Sequence, residues 1–223
     1  MAEESAQAAA GNPFSDADFQ ELLRQERSNS AEDGWTLADD SPGCVVWKKV
    51  SSEHSVHLVK GFLDFKGIPA DRLLTLVYDL QVRARFDELF TRYECVEDRG
   101  DHRVTYAVLK FPPGTWNRDL VQFNTKRSEP EEHIVLYKNA VHASRPVDPK
   151  MVRAETIFSG TIIRPMADDP NSSTLTLFLQ TDVKGWIPSA IINMIATRGP
   201  NRWQHSLANF YHGTYKKELE SEI

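Results

Sequence analysis

Residues 173–193 read Ser-Thr-Leu-Thr-Leu-Phe-Leu-Gln-Thr-Asp-Val-Lys-Gly-Trp-Ile-Pro-Ser-Ala-Ile-Ile-Asn, and two hydrophobic periods meet inside them. Over 173–182, Leu175, Leu177 and Leu179 alternate with Thr174, Thr176 and Gln180, the pattern of a strand in a sheet with two different faces. Phe178 joins the threonine side, so that face is not simply solvated. Past Gly185-Trp-Ile-Pro188 the spacing turns helical, with Ile191, Ile192 and Ile195 continued by Trp203, Leu207, Phe210 and Tyr211. Pro200 has no backbone N–H to donate. A break or kink is therefore expected at Gly199-Pro200, with Pro200 restarting the helix at its first position. A two-faced strand that runs straight into a long terminal helix predicts a helix lying on a sheet.

Upstream, Ser15 reads as an N-cap with Asp16 and Asp18 in the first turn, and Phe19, Leu22 and Leu23 supply the apolar stripe of a short helix ending near Asn29. Strands are predicted at Trp35–Leu37, Val45–Val50 and Val56–Phe65, separated by turn-forming residues. Pro69 and Asp71 open a second helical section carrying Leu73, Leu76, Val77, Leu80 and Ala84. Further strands follow at 90–96, 103–110, 120–127, 133–140, 157–164 and 173–182, joined by short turns that favour antiparallel pairing. The order gives an α+β domain over residues 15–223, with a curved antiparallel sheet and a long C-terminal helix. Residues 1–14 lack an apolar face and read as a flexible tail.

The 223 residues carry 26 Lys+Arg against 32 Asp+Glu, a net charge of −6, with 40% hydrophobic residues. That suffices for a sizeable core and disfavours nucleic acid, whose phosphates need a concentrated basic excess. The two cysteines, Cys44 and Cys95, provide neither a disulfide framework nor a metal site, so a reducing compartment is expected. The acidic N-terminus and the lack of a long apolar run predict a soluble cytoplasmic protein.

Four segments resemble the START (steroidogenic acute regulatory related lipid transfer) family, in the expected order. They are Arg83-Ala-Arg-Phe-Asp87, Trp116-Asn-Arg-Asp-Leu120, Val152-Arg-Ala-Glu155 and Lys184-Gly-Trp-Ile-Pro-Ser-Ala-Ile-Ile-Asn193. The resemblance covers roughly residues 15–220. It implies a helix-grip fold, in which the sheet wraps a tunnel for one lipid and the C-terminal helix closes it. Val104, Tyr106 and Val108 alternate with Thr105, Ala107 and Leu109, as in a sheet apolar on both faces. An ordinary filled core would show the same pattern, and the resemblance is what favours the tunnel.

The resemblance also implies site residues. Arg83 and Asp87 match the pair that holds the choline phosphate in the phosphatidylcholine transfer protein. An arginine fork suits that task because it donates two hydrogen bonds to phosphate oxygens. An exposed helical ion pair is the plainer reading of the same spacing. That protein's aromatic cage is replaced here by Ala107, Leu120 and Ile157, which leaves phosphate recognition without choline selectivity. The buried acid and arginine of sterol-binding members are replaced by Thr105 and Asn124. Thr105, Tyr106 and Asn124 are expected to join Arg83 and Asp87 in touching lipid.

Trp116, Trp186, Ile187 and Pro188 fall in segments that the family places at the tunnel mouth, where an amphipathic ring suits a membrane interface. Arg118, Asp119, Arg153 and Glu155 read as structural ion pairs. The histidines form no metal cluster, and no catalytic residue, metal or cofactor is expected. The expected partners are one lipid molecule and a transient membrane surface, with the protein a monomer. A sterol or other neutral-lipid carrier, a ligand-gated sensor, and an enzyme on the same fold are the alternatives.

Overall fold

The computed structural model describes residues 11–221 apart from Asn29, Ser55, Trp186 and Pro188, and for residues 189–197 it describes the backbone alone. Helix α1 spans Asp16–Arg27. Asp18 accepts hydrogen bonds from the Ser15 backbone at 2.7 Å and the Ser15 hydroxyl at 3.0 Å, which satisfies the first turn. Strands β1 (Trp35–Ser41), β2 (Cys44–Lys49) and β3 (Leu58–Phe65) follow, then α2 (Ala70–Tyr78) and α3 (Leu80–Arg83). Next come β4 (Phe90–Asp98), β5 (Arg103–Leu109), β6 (Arg118–Glu129), β7 (Glu132–Asn139), β8 (Val152–Arg153), β9 (Glu155–Met166) and β10 (Asp169–Asp182). The chain ends in α4 (Ser189–Phe210), a π-helical turn at Tyr211–Tyr215 and α5 (Lys216–Ser221).

The strands form one curved sheet in the order β1-β2-β3-β10-β9-β7-β6-β5-β4, antiparallel throughout except that β8 pairs in parallel beside β6. Antiparallel partners share a face, so the register sorts every side chain. One set contains Gly61, Leu63 and Phe65 of β3, Leu175 and Leu177 of β10, and Thr161 and Ile163 of β9. Val135 and Tyr137 of β7, Asn124 and Leu120 of β6, and Thr105 and Ala107 of β5 continue it. This is the concave face, against which α2, α4 and the π-helical turn after α4 pack through Leu73, Leu76, Val77, Leu207 and Tyr211.

The opposite, convex face is covered by α1. Phe19 and Leu22 meet Trp35, Ile134, Ile162 and Phe178 there. The presence of Phe178 on the threonine side of β10 is thereby explained, since that side meets a helix. Gly160 permits the close approach. A Cβ at Gly160 would lie 2.8 Å from the Val135 carbonyl oxygen and 3.0 Å from a Leu22 methyl. Lys60 is sealed beneath α1 against the Trp35 ring at 4.1 Å, and donates to the carbonyls of Gln25 and Ser28. Burial drives its amine down to a pKa of about 8.

Three expectations need correction. Residues 12–14, expected to belong to a flexible tail, are docked instead: Phe14 is buried under the convex face, Asn12 donates to Asp101, and the Pro13 carbonyl accepts from Lys138. Residues 1–10 lie outside the described residues. The second helical section is split at Asp79, whose carboxylate accepts from the backbone of Gln81 and Val82 and starts α3 afresh. Finally, α4 runs unbroken through Pro200. Packing outweighs the missing N–H: Pro200 is buried, and its Cβ would sit 3.6 Å from a Cβ built on Gly61. The irregular hydrogen bonding falls one turn after Leu207 instead, at Tyr211–Tyr215.

Candidate functional site: a buried arginine facing the concave sheet

Arg83 closes α3, and the chain turns immediately afterwards. A hydrogen bond from the Asp87 backbone to the Arg83 carbonyl, 3.0 Å, preserves helical spacing between the two side chains. Arg83 Nε donates to Asp87 Oδ2 at 3.0 Å, with side-chain exposures of only 15% and 3%. The exposed surface pair is therefore not what forms. Trp203 of α4 donates its indole N–H to the same Asp87 oxygen at 3.1 Å. The terminal helix is thus tied to this pair.

Three rings surround the guanidinium, whose carbon lies 5.0 Å from the centroid of Phe90, 5.4 Å from Tyr93 and 5.9 Å from Trp203. Burial alone would lower its pKa, but the Asp87 carboxylate outweighs that and holds Arg83 firmly charged, above its ordinary value. Its Nη1 makes one long contact with the Val77 carbonyl at 3.4 Å. Its Nη2 has no hydrogen-bond partner among the described residues. A charged fork with one aligned carboxylate and one spare nitrogen, walled by rings, can take an anionic oxygen in a site of low polarity.

Farther along the sheet, Asn124 donates to the Thr105 hydroxyl at 2.7 Å and accepts from Arg103 Nε at 2.6 Å. The Arg103 guanidinium lies 3.7 Å from the centroid of the Tyr78 ring. Thr105 and Asn124 therefore do share the concave face, but they satisfy each other. Tyr106 does not join them. Strand alternation turns it to the convex side, where it packs with Val104, Val108 and Val121 between Arg92 and Arg145. Its expected contact with lipid is corrected accordingly.

Two concave-face hydroxyls are left without partners. Tyr137 Oη and Thr161 Oγ1 are both buried and unbonded among the described residues. Each such atom costs about 1–3 kcal/mol when nothing meets it. Burial is the main cause of a raised pKa at Tyr93, which keeps its phenol neutral beside Arg83.

At one end of the concave face, Ile187 is buried among Ala107, Leu109, Phe111, Leu120 and Ala154, rather than exposed. Trp116 is 60% exposed on the loop before β6. Trp186 and Pro188 lie outside the described residues. Buried Arg118 ties the two loops together. It donates to the carbonyls of Val183 and Lys184 at 3.0 Å each and to that of Trp116, with the Phe111 ring 4.4 Å away. Desolvation holds its pKa below the usual arginine value. Lys184 and Gly185 take successive left-handed conformations, φ 44° and 69°, directly beneath it. Asp119 pairs with Arg153 at 2.9–3.0 Å, and Lys184 pairs with Glu155, whereas Arg118, expected in an ion pair, bonds to backbone carbonyls instead.

Sequence reasoning missed Tyr93, Tyr137, Thr161 and Trp203. Tyr137 and Thr161 follow from strand alternation once the register is known. Trp203 needs the placement of α4, which no local pattern supplies.

No helix among the described residues is long and apolar enough to cross a membrane, and no group of three potential metal ligands occurs among them. START domain-containing protein 10 of Mus musculus is 26% identical over 165 residues, 73% of this chain and 56% of the relative. The match thus spans little more than half of that protein. StAR-related lipid transfer protein 5 of Bos taurus is 28% identical over 212 residues, covering 91% of this chain and 93% of the relative. The crystal structure of human STARD10 superimposes with a TM-score of 0.79 at 23% identity, over 98% of this chain and 87% of that one, and confirms the helix-grip fold. The START domain model matches residues 18–213, so the chain belongs to the START domain family.

Proposed function

We propose that this protein binds one phospholipid against its concave face and carries it between membranes, without catalysis. The observation supporting this most strongly is Arg83, a largely buried and firmly charged fork that spends only Nε and Nη1 on protein acceptors among the described residues, leaving Nη2 available to a ligand. A lipid phosphate supplies the missing acceptor, and Asp87 with Trp203 holds the fork in place. The acyl chains then lie along the apolar side chains around Ala107, Leu120 and Ile187. Each buried methylene contributes about 0.8 kcal/mol relative to water. The donor bilayer already provides that burial, so exchange is nearly balanced and selectivity falls to the headgroup contacts.

Trp116, exposed and amphipathic, is proposed to enter the membrane interface during exchange, alongside the segment holding Trp186, Ile187 and Pro188. With a net charge of −6, attachment to anionic membranes is transient. A cytoplasmic, monomeric carrier fits these features.

Native mass spectrometry of the purified protein tests the binding step, after incubation with vesicles of mixed phospholipids and cholesterol. One phospholipid per chain is expected in the wild type, and a strongly reduced adduct in Arg83→Lys, which keeps the charge and loses the fork. A cholesterol adduct indifferent to Arg83→Lys would overturn the phospholipid assignment.

A further inference from the structure

The Arg83 site accounts for one polar group of a ligand. Two further polar atoms on the same face remain unaccounted for. Tyr137 on β7 is opposite Ser159 of β9, and Val135 is opposite Thr161, so Tyr137 and Thr161 are diagonal neighbours on the concave side. Such neighbours have Cβ atoms within about 7–8 Å, a gap that a tyrosine ring can span. Thr161 is 2% exposed and Tyr137 9%. Both hydroxyls lack any hydrogen-bond partner among the described residues, whereas the neighbouring Ser159 is satisfied by the Phe178 carbonyl at 3.1 Å.

Buried hydroxyls are nearly always paired, so two orphans on adjacent strands of one face mark a place where a partner arrives. Thr105 and Asn124 cannot serve, being bonded to each other. Tyr137 packs in the same buried cluster as Val77 and Phe86, and Arg83 Nη1 reaches the Val77 carbonyl at 3.4 Å. One ligand can therefore meet both.

We propose that Tyr137 and Thr161 form a second polar subsite that receives an ester carbonyl of the lipid whose phosphate Arg83 holds. The inference rests on the phospholipid reading above and deepens it. Each hydroxyl donates, and a carbonyl oxygen accepts through two lone pairs. A glycerophospholipid carries its esters a glycerol unit away from its phosphate, so it offers both groups at once. A sterol has one hydroxyl and can satisfy one subsite only. The subsite is uncharged, which distinguishes its ligand group from the anion at Arg83.

The test compares diacyl phospholipids with their dialkyl ether analogues, which match in headgroup and chain length and lack the carbonyl. Wild-type protein is incubated with vesicles containing equal amounts of the dioleoyl ester and dioleyl ether forms of phosphatidylcholine, phosphatidylethanolamine and phosphatidylinositol. Bound lipid is identified by mass. The wild type is expected to prefer esters by about tenfold, the worth of roughly one buried hydrogen bond. In the near-isosteric double variant Tyr137→Phe/Thr161→Val that preference should fall to about onefold. The ligand-free double variant should melt no lower than the wild type, since it loses only unpaired hydroxyls, and this confirms that it folds. Phospholipid binding without ester preference, or a preference that survives in the double variant, would overturn the subsite while sparing the carrier reading. Failure of the wild type to take up any phospholipid would overturn both.

Discussion

At Arg83 the contact proposed to orient the fork for a phosphate also holds the fold together. Removing the guanidinium leaves Asp87, 3% exposed, without a counter-charge and with only the Trp203 indole and the Leu89 backbone N–H as donors. An unpaired buried carboxylate is expensive, so Arg83→Ala should destabilise the protein by about 3 kcal/mol, read as a lowered denaturation midpoint. Arg83→Lys should cost less, which makes it the cleaner variant for lipid uptake. Lys60 is the second residue whose environment makes a measurable demand. Its folded pKa of about 8 lies below the ordinary lysine value of 10.5. Between those values the unfolded chain binds more protons, so the contribution of Lys60 to stability rises with pH from about 8 to 10.5 and is flat above. Denaturation of wild type and Lys60→Met across that range should show a rising difference that favours the wild type with increasing pH. A difference independent of pH would mean that the amine is not desolvated.

At the scale of elements, the sheet is held between two helical layers by glycines that permit contact. Gly160→Ala places a methyl 2.8 Å from the Val135 carbonyl, an obstruction of backbone rather than of a movable side chain. A loss of about 1–3 kcal/mol is expected, together with weakened docking of α1, seen as faster amide exchange across Asp16–Arg27. The two loops at one end of the concave face share a single buried guanidinium. Arg118→Ala should therefore raise amide exchange in residues 112–117 and 183–185 together, because the carbonyls of Trp116, Val183 and Lys184 lose the same donor. Loosening confined to one loop would show that Arg118 does not couple them.

For the whole molecule, hydrophobic period was enough to read most of the sheet and both layers, because each strand must alternate to face a helix on either side. The alternation through Leu175 to Leu179 gave the strand two different faces, and Phe178 showed that the threonine side is not simply solvated; that α1 covers that side is seen only in the structure. Where the reading failed, a tertiary contact outweighed a local rule. Pro200 stays inside α4 because Gly61 leaves room for its ring, and Asp79 divides a run of apolar residues by capping. Arg83 and Asp87 were legible as candidates from spacing and resemblance, but their burial was not, since it depends on Phe90 and Tyr93 of β4 and Trp203 of α4 converging from distant parts of the chain. Tyr106 was misplaced because assigning a residue to a strand does not say which way it points.

Carriage of a phospholipid held by Arg83 is checked by transfer between two vesicle populations. Donor vesicles carry labelled phospholipid, acceptors carry none, and the label is followed after separation. Transfer should rise in proportion to wild-type protein well above the spontaneous rate, and should fall at least tenfold in Arg83→Lys, the loss of about one charge-assisted hydrogen bond. Transfer at the spontaneous rate with folded wild-type protein, or undiminished transfer in Arg83→Lys, would contradict the account.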